Sequence, residues 1–326
     1  MDPSVVVFRD WLVAYRIQHP DGPDPDPEEM YDLYANLAPT NNDDRPVVAD
    51  GEDLNQALNT IHTDVVRRRT FQTQTSKVDN DFWELFEAVA LNVEAQSQEA
   101  GALMYYAYLN MYFSNDYIYL APQGDRPVAD ARFVLDVLPQ RMVDAVGNIA
   151  GVMDAQNAVS VMKFLGPGQN DKLDTVVMYC ASDEPEFAGL RQALIALLQP
   201  EVLYDRLPLM VLRVAAGLGY GKEPPSFSYG EVTDREEESI SFGEFRIVVL
   251  LLAYQATVQT GAEGDGFAEL LTENIDAMFE AFGLDSDHPE RQVEVTADVG
   301  LQQQFITTFS EWRNGNPNFY GNAAYF

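Results

Sequence analysis

Apolar residues recur at helical spacing along most of this chain. The clearest case is residues 266–283, GFAELLTENIDAMFEAFG, where an apolar face ends at Gly283. Residues 80–93 and 186–200 repeat the pattern, and residues 27–37 form a shorter segment of the same kind. Near the start, Asp2 and Pro3 form a helix-initiation signal before an apolar face. These patterns predict helices.

Strand-like alternation of apolar and polar residues is scarce. Only residues 116–122 (DYIYLAP) and 291–297 (RQVEVTA) alternate over several positions, and they could pair as a minor ribbon. The predicted fold is therefore mainly α: a two-lobed helical bundle with extended N- and C-terminal arms and at most a minor β ribbon.

Proline, glycine and charge runs suggest where this bundle divides. Residues 19–29 hold four prolines and five acids, so residues 1–50 are predicted to form an arm of short helices on an acidic, proline-rich linker. Glycines, prolines and charges in residues 219–243 mark an internal boundary. We predict a larger helical lobe over 51–222, a smaller one over 240–313, and an aromatic C-terminal arm over 314–326.

Composition narrows the classes of partner. The chain has 326 residues, 46% of them hydrophobic, and a net charge of −32. Such a field repels nucleic acid and anionic membranes, and favours basic partners or work at high salt. The longest fully apolar run, residues 247–254, is far shorter than the ~20 residues that span a bilayer. We therefore predict no membrane insertion and an intracellular location, cytoplasmic or in a virion.

Sequence motifs for chemistry are weak. GLGYGK at 217–222 lacks the wider spacing of a phosphate-binding loop and is interpreted as a glycine cap after a helix. His19, His62 and His288 are scattered, which indicates no metal site. We predict no catalytic residue, no metal, no cofactor and no enzyme activity, although 52 acids leave a cryptic carboxylate pair open.

One dense cationic patch stands out in this acidic chain. Arg67, Arg68 and Arg69 are consecutive, and Lys77 follows after a stretch rich in Thr and Gln. Cations and hydroxyl or amide groups bind phosphates without reading bases. These four residues are the candidate nucleic-acid-binding site; an internal tether for the protein's own carboxylates is the alternative.

Aromatic residues concentrate in two other regions. Tyr105 and Tyr112 belong to a tyrosine-rich stretch that fits either a core or a contact surface. The uncharged C-terminal segment is aromatic to its last residue, which is unusual for a free tail. The candidate subunit-interface residues are Trp11, Tyr105, Tyr112, Phe319, Tyr320, Tyr325 and Phe326.

These features favour a self-assembling structural subunit, resembling a viral coat or nucleocapsid protein, that polymerises through its arms. Its predicted partners are further copies of itself and, if it is a nucleocapsid protein, single-stranded nucleic acid that it binds through the phosphate backbone. One alternative is an acidic intracellular protein-binding or regulatory module with a basic partner. A second alternative is a halophilic α-helical enzyme, which would unfold when molar salt is removed.

Overall fold

The computed structural model divides the chain into two compact units. The helical unit comprises Met1–Leu37, Pro208–Leu212 and Gly221–Phe326, and the sheet unit comprises Ala38–Leu207 and Arg213–Tyr220. The residues that the structure describes are 1–36, 117–120, 127–137, 145, 148–149, 151–153, 158–165, 173–183, 185–197, 202–225, 240–293 and 297–315. This grouping differs from the consecutive arms and lobes expected from the sequence, because both units are discontinuous in the chain.

Twelve helices and strands have defined bounds in these residues. In chain order they are α1 (Pro3–Gln18), α2 (Pro27–Asn36), β1 (Tyr117–Leu120), β2 (Ala131–Leu135), β3 (Val159–Leu165), β4 (Val176–Cys180), α3 (Phe187–Leu197), β5 (Leu212–Ala215), β6 (Leu218–Lys222), α4 (Phe242–Gln259), α5 (Gly264–Ala281) and α6 (Val299–Gly315). The helices predicted at the N-terminus and within 27–37, 186–200 and 266–283 are confirmed as α1, α2, α3 and α5.

Helix α4 is the centre of the helical unit. Fourteen of its eighteen residues are buried, as expected for a helix that is apolar on all sides. Its start is a capping box, in which the Glu244 N–H donates to Ser241 Oγ at 3.3 Å and the Ser241 N–H donates to Glu244 Oε2 at 2.7 Å. Among the described residues, no helix combines the length and apolarity needed to cross a membrane.

The N-terminal segment is part of the helical core. Asp2 caps α1 by accepting the Ser4 N–H at 2.8 Å, and the helix buries Phe8 fully. Helix α2 buries Tyr34, which lies so close to Gly243 that a Cβ there would be 2.5 Å from the tyrosine ring. The predicted arm is therefore wrong for residues 1–36: their apolar faces are covered by other helices of the same unit.

The sheet unit corrects the predicted fold class. Within the described residues, six strands form one sheet in the order β1-β3-β4-β2-β6-β5, with antiparallel β1–β3, β3–β4 and β4–β2 pairs. The mainly α bundle with a minor ribbon is wrong. Strands β2 and β4 are buried at every position, so ARFVL and VVMYC read as short, largely apolar runs and not as alternating patterns.

Two local expectations have different outcomes in this sheet. The strand predicted at 116–122 is confirmed as β1, but its partner is β3, and residues 291–293 are not a strand. GLGYGK does not follow a helix: it contains the turn and second strand of the β5–β6 hairpin. Gly217 has a φ of 65°, and a Cβ there would collide with the Tyr204 carbonyl oxygen, so the hairpin requires glycine.

Candidate functional site

Most residues proposed from the sequence as site residues lie outside the described part of the chain. These are the candidate nucleic-acid-binding residues Arg67, Arg68, Arg69 and Lys77, and the candidate interface residues Tyr105, Tyr112, Phe319, Tyr320, Tyr325 and Phe326. Their roles stay predictions.

Trp11 is the candidate interface residue that the structure describes. It is half-buried on α1 and packs against the core of the helical unit. Its ring stacks on Tyr15, with centroids 5.6 Å apart and planes inclined by 27°. The indole therefore makes packing contacts within its own unit, and its role in a subunit contact stays a prediction.

An exposed row of carboxylates follows helix α5. We call this row the acidic stripe; it consists of Asp265, Glu269, Glu273, Asp276 and Glu280. The spacing of three or four residues confines all five to an arc of about 80° around the helix. No Lys or Arg occurs in the sequence between residues 247 and 290, so the stripe lies in a long uncompensated acidic segment.

The described residues supply hydrogen-bond or ionic partners for only part of the acidic stripe. Asp276 accepts a hydrogen bond from the Ser286 hydroxyl. In the described part of the chain, no basic side chain pairs with Asp265, Glu269 or Glu273. Beyond the stripe, the amino group of Met1 hydrogen-bonds Asp287, and this bond lowers the pKa of that carboxyl. The three unpaired carboxylates are therefore available to a cationic partner.

A shallow groove lies beside the stripe, between α1 and α5. Its volume is about 450 Å³, and we call it the α1–α5 groove; its lining residues are Arg9, Asp10, Val13, Ala14, Ile17, Ala268, Glu269 and Thr272. Ile17 is 72% exposed although it is a large aliphatic residue. Glu269 belongs to both the groove and the acidic stripe, so an apolar surface and an anionic surface meet there.

A second polar cluster occupies one face of the sheet. Arg132 on β2 is the direct cross-strand neighbour of Tyr179 on β4, and Lys163 on β3 lies on the same face. The Arg132 Cζ is 5.0 Å and the Lys163 Nζ is 5.9 Å from the centroid of the tyrosine ring. Both cations are at most 7% exposed. Two buried cations therefore lie beside one tyrosine ring on this face of the sheet.

A carboxylate and a hydroxyl lie at the ends of the same strands: Asp136 directly follows β2, and Thr175 directly precedes β4. Asp136 is 1% exposed, and its Oδ2 accepts from the Arg206 Nε at 3.1 Å. The Arg206 guanidinium also lies 4.1 Å from the centroid of the Tyr204 ring. Thr175 joins the strand ends by accepting the Val137 N–H at 2.7 Å. This end of the cluster is held rigidly by charge-assisted and backbone hydrogen bonds.

Neither the acidic stripe nor the cluster around Tyr179 was predicted from the sequence. The acids of residues 265–280 recur at helical spacing, which indicates the acidic stripe, but the apolar residues of the same segment form the stronger helical pattern. The buried cations had a weaker signal: one basic residue inside each apolar run, ARFVL and VSVMKFL. Among the described residues, no group of His, Cys, Asp and Glu has the arrangement of a metal site.

Solved structures with a related fold include two bacterial proteins. An effector protein from Pseudomonas syringae pv. tomato strain DC3000 superposes with a TM-score of 0.57 and 16% identity, over 89% of this chain and 98% of the other. An effector protein from Pseudomonas syringae pv. syringae strain 61 gives a TM-score of 0.54 and 14% identity, over the same shares. No protein-family model and no curated protein sequence matches the chain.

These neighbours overturn the viral interpretation. They are bacterial effector proteins and not coat or nucleocapsid proteins, and their fold extends over nearly the whole of this chain. The hypothesis of a self-assembling viral subunit, with its virion location, is therefore wrong. Its main structural argument also fails at the N-terminus, where the expected free arm is part of a packed core.

Proposed function

We propose that this protein is an effector-type binding protein that recognises a basic polypeptide and acts by binding and not by catalysis. The observation that carries the proposal is the acidic stripe of α5, where three exposed carboxylates have no basic partner in the described structure. The effector proteins with a related fold support a role directed at another molecule.

Electrostatic complementarity is the physical basis of this recognition. Fixed charges on a rigid helix attract an oppositely charged partner over about one Debye length and orient it on arrival. Carboxylates that already had internal partners would contribute little of this attraction. Asp265, Glu269 and Glu273 have no such partners among the residues that the structure describes, so their charge is directed outward from α5.

The test compares two variants that lose the same total charge. The stripe variant carries Asp265→Asn, Glu269→Gln and Glu273→Gln. The control variant carries Asp21→Asn, Glu29→Gln and Glu311→Gln, which are also exposed acids of the helical unit. Asp265 and Glu29 both lie in the first turn of a helix, so effects on helix stability are matched.

Binding is measured by fluorescence anisotropy with a labelled peptide rich in Lys and Arg, and with a copy that has Glu in place of every basic residue. We expect the stripe variant to bind the basic peptide about tenfold more weakly at low salt, and the control variant to bind like the wild type. Equal losses in both variants would mean that only net charge matters, and the proposal would be wrong.

A further inference from the structure

We infer that the α1–α5 groove is a docking site for one amphipathic helix, with an apolar ridge and flanking Lys or Arg residues, on the partner protein. This inference rests on the proposed function, because it names the place and the form in which the basic partner binds. A helix laid in a groove is a recurrent mode of recognition that uses apolar anchors one helical turn apart.

The apolar part of the groove has the composition that such anchors need. Val13, Ala14 and Ile17 come from α1, and Ala268 comes from α5. The two alanines leave room between the helices, whereas Ile17 projects from the rim with 72% of its surface exposed. Covering Ile17 with an apolar side chain would remove that surface from water, which favours association.

The charges around the groove select a basic partner. Arg9 is the cation of the lining, and its Nε and Nη2 donate to Asp10 Oδ1 at 2.8 and 2.6 Å. The arginine is thus compensated by its own neighbour. Glu269 has no such partner in the described residues, and the other acids of the stripe continue along the same side. A helix with acidic flanks would be repelled here.

The length of the stripe sets the length of the partner helix. From Asp265 to Glu280 the stripe covers fifteen helical steps, or about 22 Å at 1.5 Å per residue. A partner helix of about four turns therefore places cations beside the whole row while its apolar ridge covers Ile17 and the two alanines. A shorter segment would contact only part of the stripe.

The experiment uses the full chain and three labelled peptides of equal length. The first has Leu at helical spacing and Lys or Arg elsewhere. The second has the same composition, but its leucines are distributed around the helix. The third has Glu in place of the basic residues. We expect the first peptide to bind about tenfold more tightly than the second, and the third not to bind.

Two matched pairs of variants locate the site. Ile17→Ser should weaken binding of the first peptide about tenfold, whereas Val299→Ser, at a valine of α6 that is 83% exposed, should have no effect. Glu269→Lys should weaken it by a similar factor and reduce its salt dependence, whereas Glu311→Lys should change it less than about twofold. All four positions are outside the buried core, so the variants are expected to fold.

The outcomes separate this inference from the proposed function. Equal binding of the two basic peptides, or an unchanged affinity in Ile17→Ser, would overturn the groove as the docking site and leave recognition of a basic partner intact. No binding of either basic peptide would overturn both. Light scattering adds one further outcome: a dimer that Ile17→Ser dissociates would mean that a second copy occupies the groove, and the inference would be wrong.

Discussion

In the helical unit, α1, α2, α5 and α6 bury aromatic and aliphatic side chains around α4; in the sheet unit, one face of β2, β3 and β4 buries charged and hydroxyl groups. The helical core includes Phe242, Phe245, Phe279 and Phe305, all fully buried. The sheet face includes Arg132 and Lys163 at positions where an ordinary sheet would have aliphatic residues. On this face the sheet unit thus buries charged side chains beside apolar ones such as Val161 and Val177, whereas the core cluster of the helical unit is apolar.

Buried apolar groups and buried charged groups contribute differently to the stability of the fold and to the choice of one geometry. Apolar burial is non-directional, and it stabilises any arrangement that excludes water. Buried ions are tolerated only when particular partners are placed at particular distances, so they contribute less to stability and define one geometry. The buried arginine of the helical unit follows the same rule: Arg246 donates to the carbonyl oxygens of Pro289 and Phe242 at 2.7 and 3.1 Å. It joins α4 to a distant loop.

The largest effect should come from opening the apolar core. Phe279→Ala removes a fully buried ring of α5 and should lower the free energy of unfolding by about 4 kcal/mol, because it loses buried surface and leaves a cavity. Urea unfolding followed by circular dichroism measures this loss. Ile17→Ala, at an exposed position, should cost less than about 0.5 kcal/mol. Similar values for the two variants would contradict a tightly packed helical core.

Removing the Thr175 hydroxyl tests whether its buried hydrogen bonds stabilise the sheet unit. Thr175 accepts the Val137 N–H at 2.7 Å and donates to the Leu135 carbonyl at 3.0 Å. Thr175→Val preserves the shape and leaves both buried groups unpaired, so we expect a loss of about 2 kcal/mol. Thr175→Ser keeps the hydroxyl and should lose clearly less. If the valine variant is as stable as the serine variant, hydrogen bonds do not determine this region.

Packing tolerance within the helical unit is tested by two glycines. A Cβ at Gly243 would lie 2.5 Å from the Tyr34 ring, so Gly243→Ala should cost about 2 kcal/mol through overpacking. At Gly266 of α5, a Cβ would meet nothing within 4 Å, and Gly266→Ala should be neutral or stabilise by up to about 1 kcal/mol. Thermal melts of both variants measure this contrast. A destabilised Gly266→Ala would show that the α5 surface is less open than described.

The smallest effect should be an alkaline one. Burial raises the pKa of Tyr254, which contacts Tyr15 and Phe267 edge-on. The unfolded state then ionises first, so this tyrosine's contribution is complete below the ordinary tyrosine pKa of about 10 and is lost as the pH rises above it. Urea midpoints on both sides of that pH should fall less in Tyr254→Phe than in the wild type. An equal fall would place the alkaline sensitivity elsewhere.

The helical spacing of apolar residues predicted helices correctly. Helices α1, α2, α3 and α5 each have one apolar face, and their bounds lie within a few residues of the predicted segments. Helix α4 has no such contrast because it is buried on all sides, and its apolar run 247–254 therefore shows no helical periodicity. Strands β2 and β4 were missed for the same reason: burial on both faces removes the alternation that identifies a strand.

The sequence also predicts some features of the candidate sites and not others. The spacing of the acids on α5 is a property of the sequence, since one helix places them on one side whatever surrounds it. The α1–α5 groove is not a property of the sequence alone, because it requires Ile17 to lie opposite Ala268, more than two hundred residues away in the chain. The cluster of Arg132, Lys163 and Tyr179 likewise depends on a strand order that no local pattern specifies.

By itself, then, the sequence determined the acidic charge of this protein, four of its helices and the direction of the carboxylates on α5. These follow from interactions between residues that are near one another in the chain. Only the tertiary structure decided that the first helices belong to a core, that a sheet buries two cations beside Tyr179, and that a groove adjoins the stripe. Each of these joins residues far apart in the chain, and such contacts depend on how whole elements pack.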